Sequence, residues 1–154
     1  MRKMIPTFIA VAVALGGLFF ANHFSYTRTV HAQSACDASS LAGAYGYGLS
    51  GYIYDAQGNL YFAASAGRLV ADGNGVLAGA DTVSVDGTIA RRKYTGSYSM
   101  NGDCTGSMVM QITTDSGSGV AHADIVAVNN AREINFIQTD ATFVFSGLLK
   151  RQNQ

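Results

Sequence analysis

Charge is what this chain has least of. Only 13% of its 154 residues are Asp, Glu, Lys or Arg, against roughly a quarter in an average soluble protein. Neither sign is in surplus, with ten basic and ten acidic residues. Phosphate backbones are held by a basic excess or a basic stripe, so nucleic acid is not an expected partner. There is no Trp, a single Pro, three His and two Cys. What the chain has in quantity is apolar surface and glycine: 48% hydrophobic residues and 18 Gly. That much apolar content excludes a disordered chain, and the length allows one domain.

The N-terminus reads as an export signal. Arg2 and Lys3 precede an uncharged run from Ile5 to Ala21, 17 residues long. A polar stretch follows and ends at Val30-His31-Ala32, with small or apolar residues at the positions that signal peptidase reads. Residues 1–32 are therefore expected to be removed, leaving a single domain over 33–154, secreted or periplasmic. Two alternatives stay open. One is a retained anchor, although the run is short for a membrane span and contains Pro6. The other is lipoprotein processing at Cys36, which follows Ser34-Ala35. Removing the signal takes Arg2, Lys3 and Arg28, and leaves seven basic residues against ten acidic, a net charge of −3. It also leaves His122 as the one histidine. One His and two Cys that are 68 positions apart do not make a zinc site of usual spacing, so neither metal nor cofactor is expected. In an oxidising compartment an even pair of cysteines reads as a disulfide, Cys36 to Cys104.

The remainder reads as strands. β-rich runs span 41–54, 60–71, 76–85, 88–100, 105–114, 120–128, 133–139 and 142–149. Turn-forming stretches separate them: Asp72-Gly73-Asn74-Gly75, Asp86-Gly87, Asn101-Gly102-Asp103, Ser116-Gly117-Ser118-Gly119 and Asn129-Asn130. No segment shows a helical period. Eight runs with short connections predict an all-β, eight-stranded antiparallel up-and-down barrel, calycin-like in plan. Alternation in the fourth run puts Tyr94, Gly96 and Tyr98 on one face, opposite Lys93, Thr95, Ser97 and Ser99. Tyr94 and Tyr98 should therefore point inward, with Gly96 leaving a space between their rings. The last two runs are apolar on both faces, as an interface would need: Ile134 and Phe136 oppose Ile137, and Phe143 and Phe145 oppose Val144 and Leu148.

Three segments carry a resemblance. They are residues 36–46 (CDASSLAGAYG), residues 94–106 (YTGSYSMNGDCTG), and residues 133–140 (EINFIQTD) with the closing Gly147 and Lys150-Arg151-Gln152. Together they resemble a small secreted bacterial β-barrel domain of largely uncharacterised function. Gly43-Ala44-Tyr45 is more distantly similar to the Gly-x-Trp that opens lipocalin and avidin-like barrels, with Tyr in place of Trp. Allene oxide cyclase-like barrels are similar in size and strand count. These resemblances imply a barrel architecture more than an activity.

The candidate chemistries follow from the remaining polar residues. A catalytic set could be built on His122 with Asp124, or on Glu133 with Asp140, but no Gly-x-Ser-x-Gly elbow and no helix support one. The Gly117-Ser118-Gly119 stretch lacks the following helix that a phosphate cradle needs. A closed barrel can instead hold one small ligand, and tyrosines suit its walls because each has an apolar ring and a polar tip. Tyr45, Tyr47, Tyr52, Tyr54, Tyr61, Tyr94 and Tyr98 all fall on strands. Arg68 sits beside Leu69 and Val70, and would need an anion or carboxylate if it faced inward. Arg91-Arg92-Lys93 reads as a solvated rim. The expectation is a secreted, non-catalytic barrel that binds a small apolar ligand through Tyr47, Arg68, Tyr94, Tyr98 and Phe136. The alternatives are a cell-envelope structural or protein-interaction module, including a homo-oligomer, and a cofactor-free isomerase or cyclase of the allene oxide cyclase-like type.

Overall fold

A computed structural model describes residues 35–153. The proposed signal peptide and its cleavage site lie outside the described residues. A single 3-10 turn, Ala38–Leu41, precedes eight strands: β1 Gly43–Tyr54, β2 Leu60–Ala71, β3 Val76–Val85, β4 Thr88–Met100, β5 Thr105–Thr114, β6 Gly117–Val128, β7 Glu133–Gln138 and β8 Phe143–Arg151. They form a closed antiparallel barrel in chain order, with β8 pairing back onto β1. Closure leaves no unpaired strand edge. No helix among the described residues is long and apolar enough to cross a membrane.

The expected strands are present, with shifts at their ends. Leu41 belongs to the 3-10 turn and not to β1. Asp37 caps that turn: its carboxylate accepts from Ser40 N at 3.1 Å and from Ser39 Oγ at 2.6 Å. The β5–β6 connection is only Asp115-Ser116, so Gly117, Ser118 and Gly119 are strand residues and not a turn. The hairpin after β2 forms as its sequence suggests. Asp72 Oδ1 accepts from Asn74 N at 2.7 Å and Val76 N at 2.9 Å. Gly73 and Gly75 supply φ values of 84° and 96°, which side chains rarely adopt.

Inward positions are odd-numbered on β1, β2, β3, β6 and β8 and even-numbered on β4, β5 and β7, as the alternating burial shows. Tyr94 and Tyr98 are both inward, each 6% exposed. Gly96 between them does not open a slot. A Cβ there would run into the backbone of Val109 and Met110, so this glycine lets β4 and β5 approach closely instead.

The two ends of the barrel differ. At one end, which carries the 3-10 turn and the hairpins after β2, β4 and β6, the interior is filled. Leu41, Tyr45, Leu77, Ile125 and Ile134 are at most 1% exposed. Tyr45 Oη donates to Ala131 O at 2.9 Å and accepts from Arg151 Nη2 at 2.7 Å, and Arg151 Nη2 also reaches Ser40 O at 2.7 Å. Tyr98 Oη donates to Ala38 O and accepts from Gly73 N, both at 2.9 Å. The Cys36–Cys104 disulfide ties the segment before the 3-10 turn to the start of β5. No such plug crosses the other end, where the connections are the short turns after β1, β3, β5 and β7.

Candidate functional site

A cavity of about 420 Å³ occupies the unplugged half and opens toward the turns after β5 and β7. Small inward residues account for it. Eight strands enclose an interior that ordinary side chains just fill. Here β6 lines the cavity with Gly119 and Ala121. The space that Gly67 and Gly79 leave is taken by the Tyr47 and Tyr94 side chains, whereas the space beside Gly119 and Ala121 stays open.

One wall is apolar. Met108, Met110, Ala121, Phe136, Phe145 and Leu149 line it from β5 to β8. The opposite side sets one polar cluster among Leu49, Ile53, Leu69, Val83 and Val85, and the strand register explains how that cluster is assembled. Tyr47, Gly67, Asp81 and Arg92 are successive cross-strand partners on β1, β2, β3 and β4. A Cβ on Gly67 would collide with Asp81 and with the Tyr47 hydroxyl, so glycine there lets the phenol cross β2. Tyr47 Oη donates to Asp81 Oδ2 at 3.0 Å. Arg92 grips the same carboxylate with two bonds, Nε to Oδ1 at 2.8 Å and Nη2 to Oδ2 at 2.6 Å. One register step away, the Tyr94 ring lies over Gly79, where no side chain would fit beside it, and its hydroxyl donates to Arg68 O at 3.1 Å.

The electrostatics of this wall are closed on themselves. The Asp81 side chain is only 1% exposed and the Arg92 side chain 24%. Burial works against the Arg92 charge, but the hydrogen bonds and negative charge of Asp81 outweigh it and hold the guanidinium above its ordinary value. Burial pushes the Tyr94 phenol up to about 12. It pushes the Tyr47 phenol higher still, with the neighbouring Tyr94 and Asp81 adding to the effect. Both tyrosines are therefore neutral hydrogen-bonding groups at physiological pH.

Of the residues singled out in the sequence, Tyr47, Tyr94 and Phe136 line the cavity. Tyr98 is inward but belongs to the plug at the far end. Arg68 faces outward on β2, exposed, with its Nε donating to Gln152 Oε1 at 2.9 Å, because even-numbered β2 positions face solvent. The Arg91-Arg92-Lys93 run is not a uniform rim. Arg91 and Lys93 face out, while Arg92 faces in. Asp81 went unremarked in the sequence. Alternation could have found both members of the pair, since Asp81 falls in phase with Leu77 and Val83, and Arg92 in phase with Tyr94 and Tyr98.

The catalytic sets considered above are not assembled in the cavity. His122 and Asp124 occupy exposed, outward positions on β6. His122 pairs instead with Asp140 in the β7–β8 turn, through Nδ1 at 2.6 Å and its own backbone N at 2.8 Å. Glu133 lies near Lys150, 3.8 Å away. Ser65 Oγ is buried without a hydrogen-bond partner among the described residues. On the outer wall, Tyr52 is the register partner of both Phe62 and Val144. All three are 44–53% exposed, and they form an apolar patch near the open rim. Comparison of the chain with family models, curated proteins and solved structures returns no match.

Proposed function

We propose that this protein is an exported carrier or receptor that holds one small, mainly apolar molecule in the open half of its barrel. The observation that carries this reading is the 420 Å³ hollow itself. Its size falls within the range of small-molecule sites, and an apolar lining with a few placed polar groups is the usual composition of such sites. The bridged cysteines support an oxidising location, extracellular or periplasmic. The likeness of the barrel plan to lipocalins supports the same reading at the level of architecture only.

The test is titration of the purified protein with Nile red, a neutral dye whose emission rises in apolar surroundings. Saturable uptake at one dye per chain is the expected result. Emission that rises without saturation, or not at all, overturns the carrier reading.

A second reading is an interaction module, favoured by the Tyr52–Phe62–Val144 patch. It expects Phe62→Glu to shift an associated form to monomer in sedimentation velocity. A wild-type protein that is already monomeric at high concentration removes it.

A further inference from the structure

We infer that the hollow selects a neutral ligand: an apolar body bearing one uncharged hydrogen-bond acceptor, such as a ketone, ester or alcohol oxygen, in preference to a carboxylate or an ammonium. The inference rests on the carrier reading above and specifies what is carried.

Three observations lead to it. First, the one ion pair in the cavity wall among the described residues is internally neutral. Asp81 takes two hydrogen bonds from Arg92 and one from Tyr47, so neither charge is left over for a ligand. An incoming carboxylate would bring a second negative charge beside a carboxylate that is almost fully buried, and an ammonium would meet the guanidinium. Either leaves an uncompensated charge in a weakly polar enclosure.

Second, the hydrogen-bonding capacity that remains favours an acceptor. Both phenols already donate, Tyr47 to Asp81 and Tyr94 to the Arg68 carbonyl. Two of the five guanidinium N–H groups of Arg92 are used by Asp81, and no other protein group among the described residues accepts from the rest. A ligand oxygen is the complement of such a donor.

Third, no Lys or Arg among the described residues lines the mouth of the cavity. The polar side chains lining the mouth, Thr114, Ser116, Ser118 and Gln138, are uncharged. Each of the four turns at this end carries an aspartate: Asp55, Asp86, Asp115 and Asp140. Arg91 and Lys93 stand on the outer wall. Anions are therefore disfavoured before they enter as well as after.

The volume sets the scale of the molecule. At about 420 Å³ the cavity lies within the range of sites that enclose drug-sized ligands, Nile red among them, and that range is the upper limit on ligand size. Ten-carbon probes fit within that limit. The experiment is displacement of bound Nile red by 2-decanone, decanoate and decylammonium, on the wild-type protein and on Asp81→Asn. In wild type, 2-decanone should bind at least about tenfold more tightly than either ion. In Asp81→Asn the Arg92 charge is no longer neutralised, and the preference should shift toward decanoate by at least about tenfold. Decanoate or decylammonium binding as tightly as 2-decanone to wild type overturns the inference and leaves the carrier reading standing. An unchanged preference in folded Asp81→Asn also overturns it. Should that variant fail to fold, the wild-type ranking decides alone. Failure of all three probes to displace saturably bound dye overturns the inference and leaves the carrier reading standing, whereas failure of the dye to bind overturns both.

Discussion

The two halves of the barrel use the same alternating strands, yet one is solid and the other hollow. At the plugged end, Leu41 and Tyr45 are fully buried. The hydroxyls of Tyr45 and Tyr98 reach backbone carbonyls of Ala131 and Ala38, in the connection after β6 and in the 3-10 turn. At the open end the inward residues face a cavity and the phenols serve its wall. Alternation decides which way a side chain points. It does not decide whether another side chain meets it there. That depends on size at each level of the barrel and on whether some segment crosses the end. Stability should therefore be concentrated at the plugged end and binding at the open one.

The largest expected contrast comes from truncating one aromatic ring in each half. Tyr45→Ala removes a fully buried ring and three side-chain hydrogen bonds, and should cost roughly 3–5 kcal/mol in urea unfolding. Phe143→Ala removes a ring that is 37% exposed beside an existing hollow, and should cost about 1 kcal/mol or less. Equal losses would break the comparison.

The disulfide belongs to the plugged end, and its loss should be felt in stability alone. Cys104→Ser opens a bridge between residues 68 apart and should lower stability by about 4 kcal/mol under oxidising conditions on the chain-entropy account. Under strong reductant the variant and wild type should unfold alike. Dye affinity of the folded variant should be unchanged; a tenfold loss would mean that the two halves are coupled.

Acid should act on both ends through their turns. Hydrogen bonds from Ser39 hold the Asp37 carboxyl below its ordinary value, and those from Asn74 and Thr105 do the same for Asp72 and Asp103. At the open end burial opposes the Asp140 charge, but bonds from His122 outweigh it and lower that group too. Each folded-state value lies below the unfolded one, near 3.9 for Asp. Their stabilisation is therefore complete above that pH and is lost as pH falls through the lowered values. The melting temperature should be flat from neutral pH to about 5 and fall below about 4. Asp72→Asn should make that fall shallower; a melting temperature that rises on acidification would contradict the assignment.

The smallest effect is expected on the outside. Arg68→Ala should change stability by no more than about 0.5 kcal/mol and leave Nile red affinity unaltered, since the side chain is exposed on the outer wall and its hydrogen bond is to Gln152. A loss of dye binding would mean that β2 is in the opposite phase.

Much of this plan was legible in the sequence, because turn chemistry is local. Asp72-Gly73-Asn74-Gly75 and Asn101-Gly102-Asp103 mark hairpins by residues that tolerate positive φ or accept backbone N–H groups, and the strands end beside them. Phase was legible wherever one face was plainly polar, as around Tyr94 and Tyr98. It was obscured where a charge sat on the inner face. Arg92 read as part of a basic run because its neighbours Arg91 and Lys93 do face solvent, and its partner Asp81 lies eleven residues away, on the adjacent strand. Arg68 read as a candidate because Leu69 and Val70 follow it, yet only Leu69 is buried. The role of Gly96 could not be read locally, since it depends on the backbone of β5. Nor could the hollow, whose lining is drawn from all eight strands and includes the small β6 residues Gly119 and Ala121.

The most direct test places one substitution at matched positions in the two halves. Ala121 and Ala127 both face inward on β6, 5% and 3% exposed, but Ala121 lines the cavity and Ala127 lies in the packed core. Unfolding and Nile red binding are measured for Ala121→Phe and Ala127→Phe. The account expects Ala121→Phe to fold with a loss below about 1 kcal/mol and to bind dye at least tenfold more weakly, because the added ring occupies free volume. It expects Ala127→Phe to cost at least about 3 kcal/mol or fail to fold, because overpacking has no relief there. If Ala121→Phe is as destabilising as Ala127→Phe, or if it folds and still takes up dye like wild type, the open half is not the hollow ligand site described above.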